Sequence, residues 1–381
     1  MPVLVVAAIS ARLLAEAAAA DGYEVVALDL FGDRDTRRAA VQWLPIGTPG
    51  TLTIDAERLA EALAGVARRG DVAGWICGAG FDGRPELLAR TAALLPLIGN
   101  PAETVRRVRD PNAFFEVLDR RGIAHPPVQM TAPADAAAWL VKDAGGCGGW
   151  HIRRARPHEA VSAPYYLQRE AAGTPMSATF VANGSGARVL GFNALSVRPL
   201  LARPLVYCGA VGPVALRAEV AERVGDVVGA LAAAFALRGA GSLDFLLDGD
   251  RLSVLEVNPR LPASIALYRG GAPGGAGQGV IAAHLGACLH GVLPPPSAGA
   301  ASTLVHGTEI VFAPHAFWLN QRIADRLAMR ADCHDLPMAA AHFEAGAPLC
   351  SVSASGAGVE PVRASLRRSR AEVYELLEID R

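Results

Sequence analysis

Paired cysteines are missing from this chain. Its six cysteines, at 77, 147, 208, 288, 333 and 350, form no Cys-x-x-Cys and no regular spacing. Neither a zinc knuckle nor a disulfide framework is supported, and a reducing, cytoplasmic setting fits best. Net charge is missing too: 36 basic and 37 acidic side chains leave -1, so no global field draws nucleic acid or an anionic membrane. No apolar run reaches the roughly 18 residues of a spanning helix. The most extended, residues 227–237, lies between Asp226 and Arg238. Residues 1–20 are apolar, but they lack a basic leading region and Arg12 interrupts them, so they read as a strand and a helix rather than a signal peptide. No Gly-x-Gly-x-x-Gly opens the first helix, which argues against a Rossmann NAD site. No Ser-His-Asp or Cys-His set is visible either.

What is present is bulk and pattern. The chain has 381 residues, 51% hydrophobic and 19% charged. That is enough for a large core and roughly two to four lobes. The most informative stretch is residues 241–260, two short apolar strands around the Asp248-Gly249 turn. The first strand carries Asp244 and the second Glu256-x-Asn258. Side chains alternate faces along a strand, so Glu256 and Asn258 point the same way, and pairing across the turn can bring Asp244 to that face. Two carboxylates and an amide carbonyl form a hard-oxygen set suited to magnesium, which also holds nucleotide phosphates. A solvated hairpin with its acids in water fits the same spacing. Arg260, directly after the set, favours a site, because a guanidinium there is a natural clamp for phosphate or carboxylate.

Upstream, Lys142 lies on a strand before Gly145-Gly146-Cys147-Gly148-Gly149. An ammonium there can reach phosphates as a point charge, and glycines let backbone N–H groups close over them. Alone, such a loop is more often an ordinary turn. Residues 3–8, 13–20 and 25–30 read as a βαβ start, and a strand over 72–77 ends in Gly78-Ala79-Gly80-Phe81-Asp82-Gly83. Glycine at the carboxyl end of a parallel strand is where open α/β sheets bind ligands. Residues 104–109 and 111–121 form a helix pair stopped before Pro126-Pro127, with His125 read as structural. Strands follow at 139–142, 165–182 and 189–197, then a helix over 219–237 capped by Arg238-Gly239. Residues 269–279 are too rich in glycine for regular structure and form a candidate cover for the site. Residues 281–290 are helical and Pro294-Pro295-Pro296-Ser297 reads as a linker. Segments 309–313 and 348–354 suggest a small β-rich lobe, closed by a helix over 370–379 with Arg367, Arg368 and Arg370 at its solvated start.

Three features in this order, Lys142 before its glycine loop, a strand ending in Gln168-Arg169-Glu170, and Asp244 followed by Glu256-x-Asn258-Pro259-Arg260, resemble the ATP-grasp superfamily. The resemblance implies an α/β chain with the ATP-grasp fold. A Rossmann-like pre-ATP-grasp domain would span 1–99, an ATP-grasp domain of two subdomains 100–295, and the C-terminal β-rich lobe with its closing helix 296–381. It implies that Lys142, Gly145, Gly146, Gly148 and Gly149 bind ATP phosphates, and that Gln168, Arg169 and Glu170 meet adenine, mostly through backbone groups. Asp244, Glu256 and Asn258 would hold Mg2+, with Mn2+ as an alternative. The acid that often follows the hinge to bind ribose falls near Ala172 or Pro175, neither of which can accept that hydrogen bond. Catalysis would rest on Lys142 and Arg260: a carboxylate held by Arg260 attacks the γ-phosphate, and an amine then displaces phosphate from the acyl phosphate. Arg188 and Arg198 are further anion contacts or surface residues with equal weight.

The overall layout is similar to a predicted carboligase group of ATP-grasp proteins linked to tetrahydromethanopterin and methanofuran in one-carbon metabolism. That likeness implies an ATP-dependent carboxylate-amine ligase in coenzyme biosynthesis, with a small carboxylate and an amine such as an amino acid as substrates. It implies no nucleic-acid or membrane partner, with a homodimer as the candidate assembly. An ATP-grasp carboxylase, a kinase-like phosphotransferase and a non-catalytic nucleotide-binding scaffold are the alternatives. The full set Lys142, Asp244, Glu256, Asn258 and Arg260 argues against the scaffold, since a degenerate site would be free to lose it.

Overall fold

Short runs of β-branched and aliphatic residues, buried on both faces, set the first sheet. In the computed structural model, which describes residues 3–268, 279–295 and 304–378, the strands Gln42–Pro45, Glu24–Asp29, Val3–Ala7 and Val72–Cys77 lie side by side in that order. All are parallel, as expected for strands covered by helices on both sides. Helix Arg12–Ala20 packs Leu14, Ala15 and Ala18 against one face. Helices Ala56–Ala67 and Pro85–Ala92 cover the other with Leu59, Leu63, Leu87 and Leu88. Strand Gln42–Pro45 escaped the sequence reading because its Gln-Trp-Leu-Pro carries too little alternation to register.

The helix pair Ala102–Arg109 and Pro111–Arg120 leads to a four-stranded sheet ordered Val128–Gln129, Tyr165–Arg169, Trp139–Asp143 and Arg153–Arg154. The alternation read as one run over 165–182 is two strands in different sheets: Tyr165–Arg169 belongs here, and Thr174–Asn183 belongs to the large sheet. Gly173 makes the break, with φ +134, a conformation that L side chains rarely adopt, and a Cβ there would come within 3.1–3.3 Å of Leu246 and Leu247.

The large sheet is antiparallel and eight-stranded, in the order Arg251–Asn258, Arg238–Asp248, Thr174–Asn183, Ala187–Leu200, Arg203–Val214, Val305–Phe312, Pro348–Gly356 and Cys333–His334. The C-terminal β-rich segment is thus built onto this sheet. It adds a separate strand pair, Phe317–Leu319 with Ala341–Phe343, and helix Gln321–Ala328. One face of the sheet carries Ala178, Phe180, Leu243 and Phe245 against helix Ala218–Phe235. That helix ends earlier than Arg238-Gly239: Ala236 takes the left-handed cap with φ 53, and Arg238 already starts a strand. The closing helix spans Val359–Glu378 instead of beginning at 370. Val362, Leu366, Ser369 and Val373 are buried at helical spacing, so the arginines that masked this stripe sit within the helix. Residues 269–278 of the glycine-rich cover, Pro296 and Ser297 of the linker and residue 379 lie outside the described residues.

Helix Val280–His290 is wedged between the N-terminal sheet and the large sheet, where Ile281, Leu285 and Ala287 join Leu4, Val6, Val181 and Ala240 in one core. His284 on it receives the Ala240 N–H at Nδ1, 2.8 Å, so its Nε2 carries the proton and donates to Ile98 O at 2.9 Å. Burial pushes this imidazole down from the usual 6.5 to about 4. The unfolded chain therefore takes up a proton that the folded one refuses. The contribution is present above pH 6.5 and is lost as pH falls toward 4, about 3 kcal/mol at 1.36 kcal/mol per unit. The Asp33 carboxyl tilts stability the other way over the same range, pushed up to about 7 by burial and by Asp335. The raised Asp244 carboxyl adds to that tilt, so wild-type stability should fall between pH 4 and 6.5, and His284→Gln should make it fall more steeply as pH rises there. Urea midpoints across that range decide it; parallel profiles for the two proteins would contradict the account.

Candidate active site

The hairpin pairs Asp244 directly with Glu256 and Ser242 with Asn258. Strand alternation puts all four on the face opposite Leu243 and Val257, which go to the core. Asn258 Nδ2 donates to Asp244 Oδ2 and to Ser242 Oγ, both at 3.1 Å. Those bonds fix the amide, and its Oδ1 accepts from Arg260 Nη2 at 3.4 Å. On the next strands the same face continues as a polar floor. Asn193 donates to Ser177 Oγ and Thr179 Oγ1 at 3.1 and 3.0 Å, and accepts from the Tyr268 hydroxyl at 2.8 Å. Burial, then the Glu256 charge, pushes the Asp244 carboxyl well up. Glu256 goes the opposite way: burial would raise it, but Arg109, Lys142 and His151 outweigh that and hold it ionised.

Lys142 is buried at the centre of its strand and donates to Gln168 Oε1 at 3.1 Å. The Gln168 side chain is therefore turned to the lysine, and its Nε2 is buried without a partner. The next two backbone donors of that strand end are taken within the protein, Arg169 N–H by Pro127 O at 2.9 Å and Glu170 N–H by Ala138 O at 2.7 Å. The Glu170 side chain pairs with Arg154.

The glycine-rich loop is held down on three sides. Tyr207 N–H donates to Gly148 O at 3.0 Å. A Cβ on Gly149, where φ is +76, would lie 1.8 Å from Leu205 O, so only glycine lets the loop reach the strand Arg203–Val214. Gly145 meets Gly83 of the N-terminal domain at a distance that leaves no room for a Cβ on either. The His151 ring lies against Gly146, with both ring nitrogens buried and unpartnered. Burial pushes its pKa down.

Two residues at this site were not singled out from the sequence. Arg109, at the end of helix Ala102–Arg109, donates to Ala144 O at 2.6 Å, Gly146 O at 2.8 Å and Glu256 Oε2 at 3.1 Å. It ties the loop to the hairpin. Asp82, in the glycine turn after Val72–Cys77, accepts from Arg260 Nε at 3.2 Å, and its side chain is 1% exposed. Nothing local marks either one: their partners lie 147 and 178 residues away. Arg198, weighed as an anion contact, pairs instead with Glu309 at 2.8 Å, as does Arg370. His125 bonds Pro126 O and Asp119 and rests on Phe115, in line with a structural role.

Away from the cleft, Glu16, Asp35 and His334 place one ligand atom each within 4.8 Å of one another, two of them on N-terminal helices and the third on the edge strand Cys333–His334. They belong to the contact in which Arg12 pairs with Glu16 and Asp335.

Lys142, Arg109 and Arg260 face Asp82, Asp244 and Glu256 in one cleft, a set of charges with unsatisfied buried polar atoms at Asp82, His151 and Gln168. On the hairpin itself the Asp244 and Glu256 carboxyls stand directly opposite one another beside the Asn258 amide, a pair of hard oxygen donors that a dication can bridge. The donor set therefore fits magnesium, and the lysine and orphaned donors fit phosphate.

Residues 108–264 match the family model of an ATP-grasp domain. Searched against curated proteins, the sequence finds no match. Solved structures share the fold across almost the whole chain. An L-amino acid ligase from Bacillus licheniformis is 15% identical with a TM-score of 0.65, covering 97% of this chain and 96% of that one. A biotin carboxylase in complex with β,γ-ATP from Campylobacter jejuni is 13% identical, TM-score 0.69, with 95% and 89% covered. A carboxyaminoimidazole ribonucleotide synthase from Aspergillus clavatus complexed with ATP is 12% identical, TM-score 0.67, with 99% of each chain covered. At these identities the likeness carries the fold, which is the mixed α/β ATP-grasp fold read from the sequence.

Proposed function

We propose that this chain, with an ATP-grasp domain over residues 108–264, is an ATP-dependent carboxylate-amine ligase. The observation that carries the reading is the pairing of Asp244 with Glu256 beside Asn258, facing Lys142, with Arg260 at the hairpin's end. Magnesium, or manganese in its place, would be held by Asp244, Glu256 and Asn258 Oδ1 and would neutralise nucleotide phosphate charge. Lys142 adds a fixed positive charge on those phosphates. Gln168 orients Lys142 through its Oε1, and the strand end at Arg169 and Glu170 is the adenine wall. Gly145, Gly146 and Gly149 keep the loop against Gly83, His151 and Leu205, Gly148 O accepts from Tyr207 N–H, and the loop so placed would cover the phosphates. Arg260 clamps a substrate carboxylate, orienting one oxygen for attack on the γ-phosphate; the amine then attacks the acyl carbon and phosphate leaves. The resemblance of the sequence to a carboligase group of tetrahydromethanopterin and methanofuran metabolism makes a one-carbon coenzyme precursor the first carboxylate to try, with an amino acid as the amine.

ADP release from Mg-ATP in the presence of pooled amino acids and such precursors tests the reading, with hydroxylamine added to trap an acyl phosphate as hydroxamate. A ligase gives ADP and hydroxamate together. ADP without hydroxamate supports a kinase, and no ADP supports a nucleotide-binding scaffold. Arg260→Lys keeps the charge but loses the two-pronged fork, so turnover should fall by a factor on the order of 10² with Mg-ATP affinity nearly intact. Full activity in that variant would remove Arg260 from the reaction.

A further inference from the structure

We propose that Asp82 is the binding site for the ammonium group of the amine substrate, an assignment that rests on the ligase reading and gives the second substrate a charge. Asp82 sits in the turn after the parallel strand Val72–Cys77, where the N-terminal domain meets the glycine-rich loop and Arg260. The residue is 3% exposed. Its Oδ2 accepts from Arg260 Nε at 3.2 Å, but its Oδ1 is buried and has no hydrogen-bond partner. Arg260 does not close the second half of the pair. Its Nη1 goes to Leu261 O at 3.5 Å and its Nη2 to Asn258 Oδ1 at 3.4 Å.

A buried carboxylate oxygen left without a donor is costly, and a cationic N–H donor satisfies both the bond and the charge. A dication is the weaker occupant, since one free oxygen at Asp82 competes with the opposed carboxylates of Asp244 and Glu256. A primary ammonium fits: three N–H donors, one positive charge, small size. The place is also right. The guanidinium that Asp82 holds is the group assigned to the substrate carboxylate, so an ammonium docked on Oδ1 lies beside the acyl carbon: one proton passes to the Asp82 carboxylate, the freed lone pair forms the C–N bond as the C–O bond to phosphate breaks, and the second proton leaves with the phosphate. Asp82 and Arg260 together then select an ammonium and a carboxylate, and neutral nucleophiles gain nothing from Asp82.

The test uses the full chain, wild type and Asp82→Asn, which keeps the shape and removes the charge. In calorimetry with Mg-ATP present, methylammonium chloride should bind the wild type, tetramethylammonium chloride, which has no N–H, should not, and Asp82→Asn should lose methylammonium binding while Mg-ATP affinity stays unchanged. Equal methylammonium binding in both proteins, or none in the wild type, overturns the proposal. Joint loss of methylammonium and Mg-ATP binding also overturns it, because Asp82 then holds the whole cleft in shape and not the ammonium. In turnover with pooled amino acids at pH 8, Asp82→Asn should lower kcat/KM at least tenfold more than it lowers the reaction with hydroxylamine, which is uncharged at that pH; equal losses for the two nucleophiles overturn the proposal. A wild type that binds methylammonium but releases no ADP would sink the ligase reading and leave the ammonium site standing.

Discussion

Arg109→Ala is expected to lose about 3 kcal/mol of stability and to free the glycine-rich loop. Removing one member of a buried ion pair costs about 3–5 kcal/mol because the other charge is stranded. The low end applies here, since the Glu256 side chain keeps 23% of its exposure and water screens part of the stranded charge. The same change takes the donors from Ala144 O and Gly146 O, so the loop loses its ties to the helix pair. Hydrogen exchange at residues 144–149 should rise while that of helix Ala218–Phe235, on the far side of the hairpin, stays slow. An unmoved urea midpoint with unchanged exchange in the loop would show that Arg109 holds nothing together.

Glu256→Gln is expected to lower turnover by a factor on the order of 10³ and to weaken Mg-ATP binding. The carboxylate is held ionised against its burial by Arg109, Lys142 and His151. The amide that replaces it leaves those groups without their anion. It also removes the charge that, after burial, contributes most to raising Asp244, so Asp244 should ionise at lower pH in the variant. Asp244→Asn makes the informative contrast. Without metal, the loss of an acid raised by burial should be neutral or slightly stabilising above pH 4, because its folded-state stability is present at low pH and lost as pH rises. Calorimetry with and without magnesium separates the two variants; a Glu256→Gln protein that binds Mg-ATP and turns over like the parent would dissolve the metal assignment.

The site was legible where its geometry is local. Period-two alternation puts Glu256 and Asn258 on a single face, but the register running out from the Asp248–Arg251 pair would set Asp244 opposite Leu255; a bulge between Asp244 and Phe245, which spacing does not announce, moves it opposite Glu256. Lys142 was legible for the same reason, as a lone cation at mid-strand before glycines. Arg109 and Asp82 were not. The one ends a helix whose last turn also holds Arg106 and Arg107, so no pattern separates the inward arginine from the outward pair. The other sits in a turn whose glycines already explain themselves. Strand Arg203–Val214 was missed because Gly209, Gly212 and Pro213 read as breakers. Yet Gly209, at φ +149, is where Thr308 O of the neighbouring strand passes too close for any Cβ. The glycines of the loop were credited with room for phosphate, and in the folded chain Gly145, Gly146 and Gly149 are consumed by contacts with Gly83, His151 and Leu205.

The continuity of the large sheet makes the C-terminal segment something other than an appendage. Val305–Phe312 hydrogen-bonds along Arg203–Val214, the strand that also receives the glycine-rich loop. A protein cut at the triple proline would present that strand's unpaired N–H and C=O row as an open border. Such borders recruit strands from other molecules. Shortened forms should therefore self-associate through the very strand that closes the proposed nucleotide cleft, coupling loss of solubility to loss of that cleft.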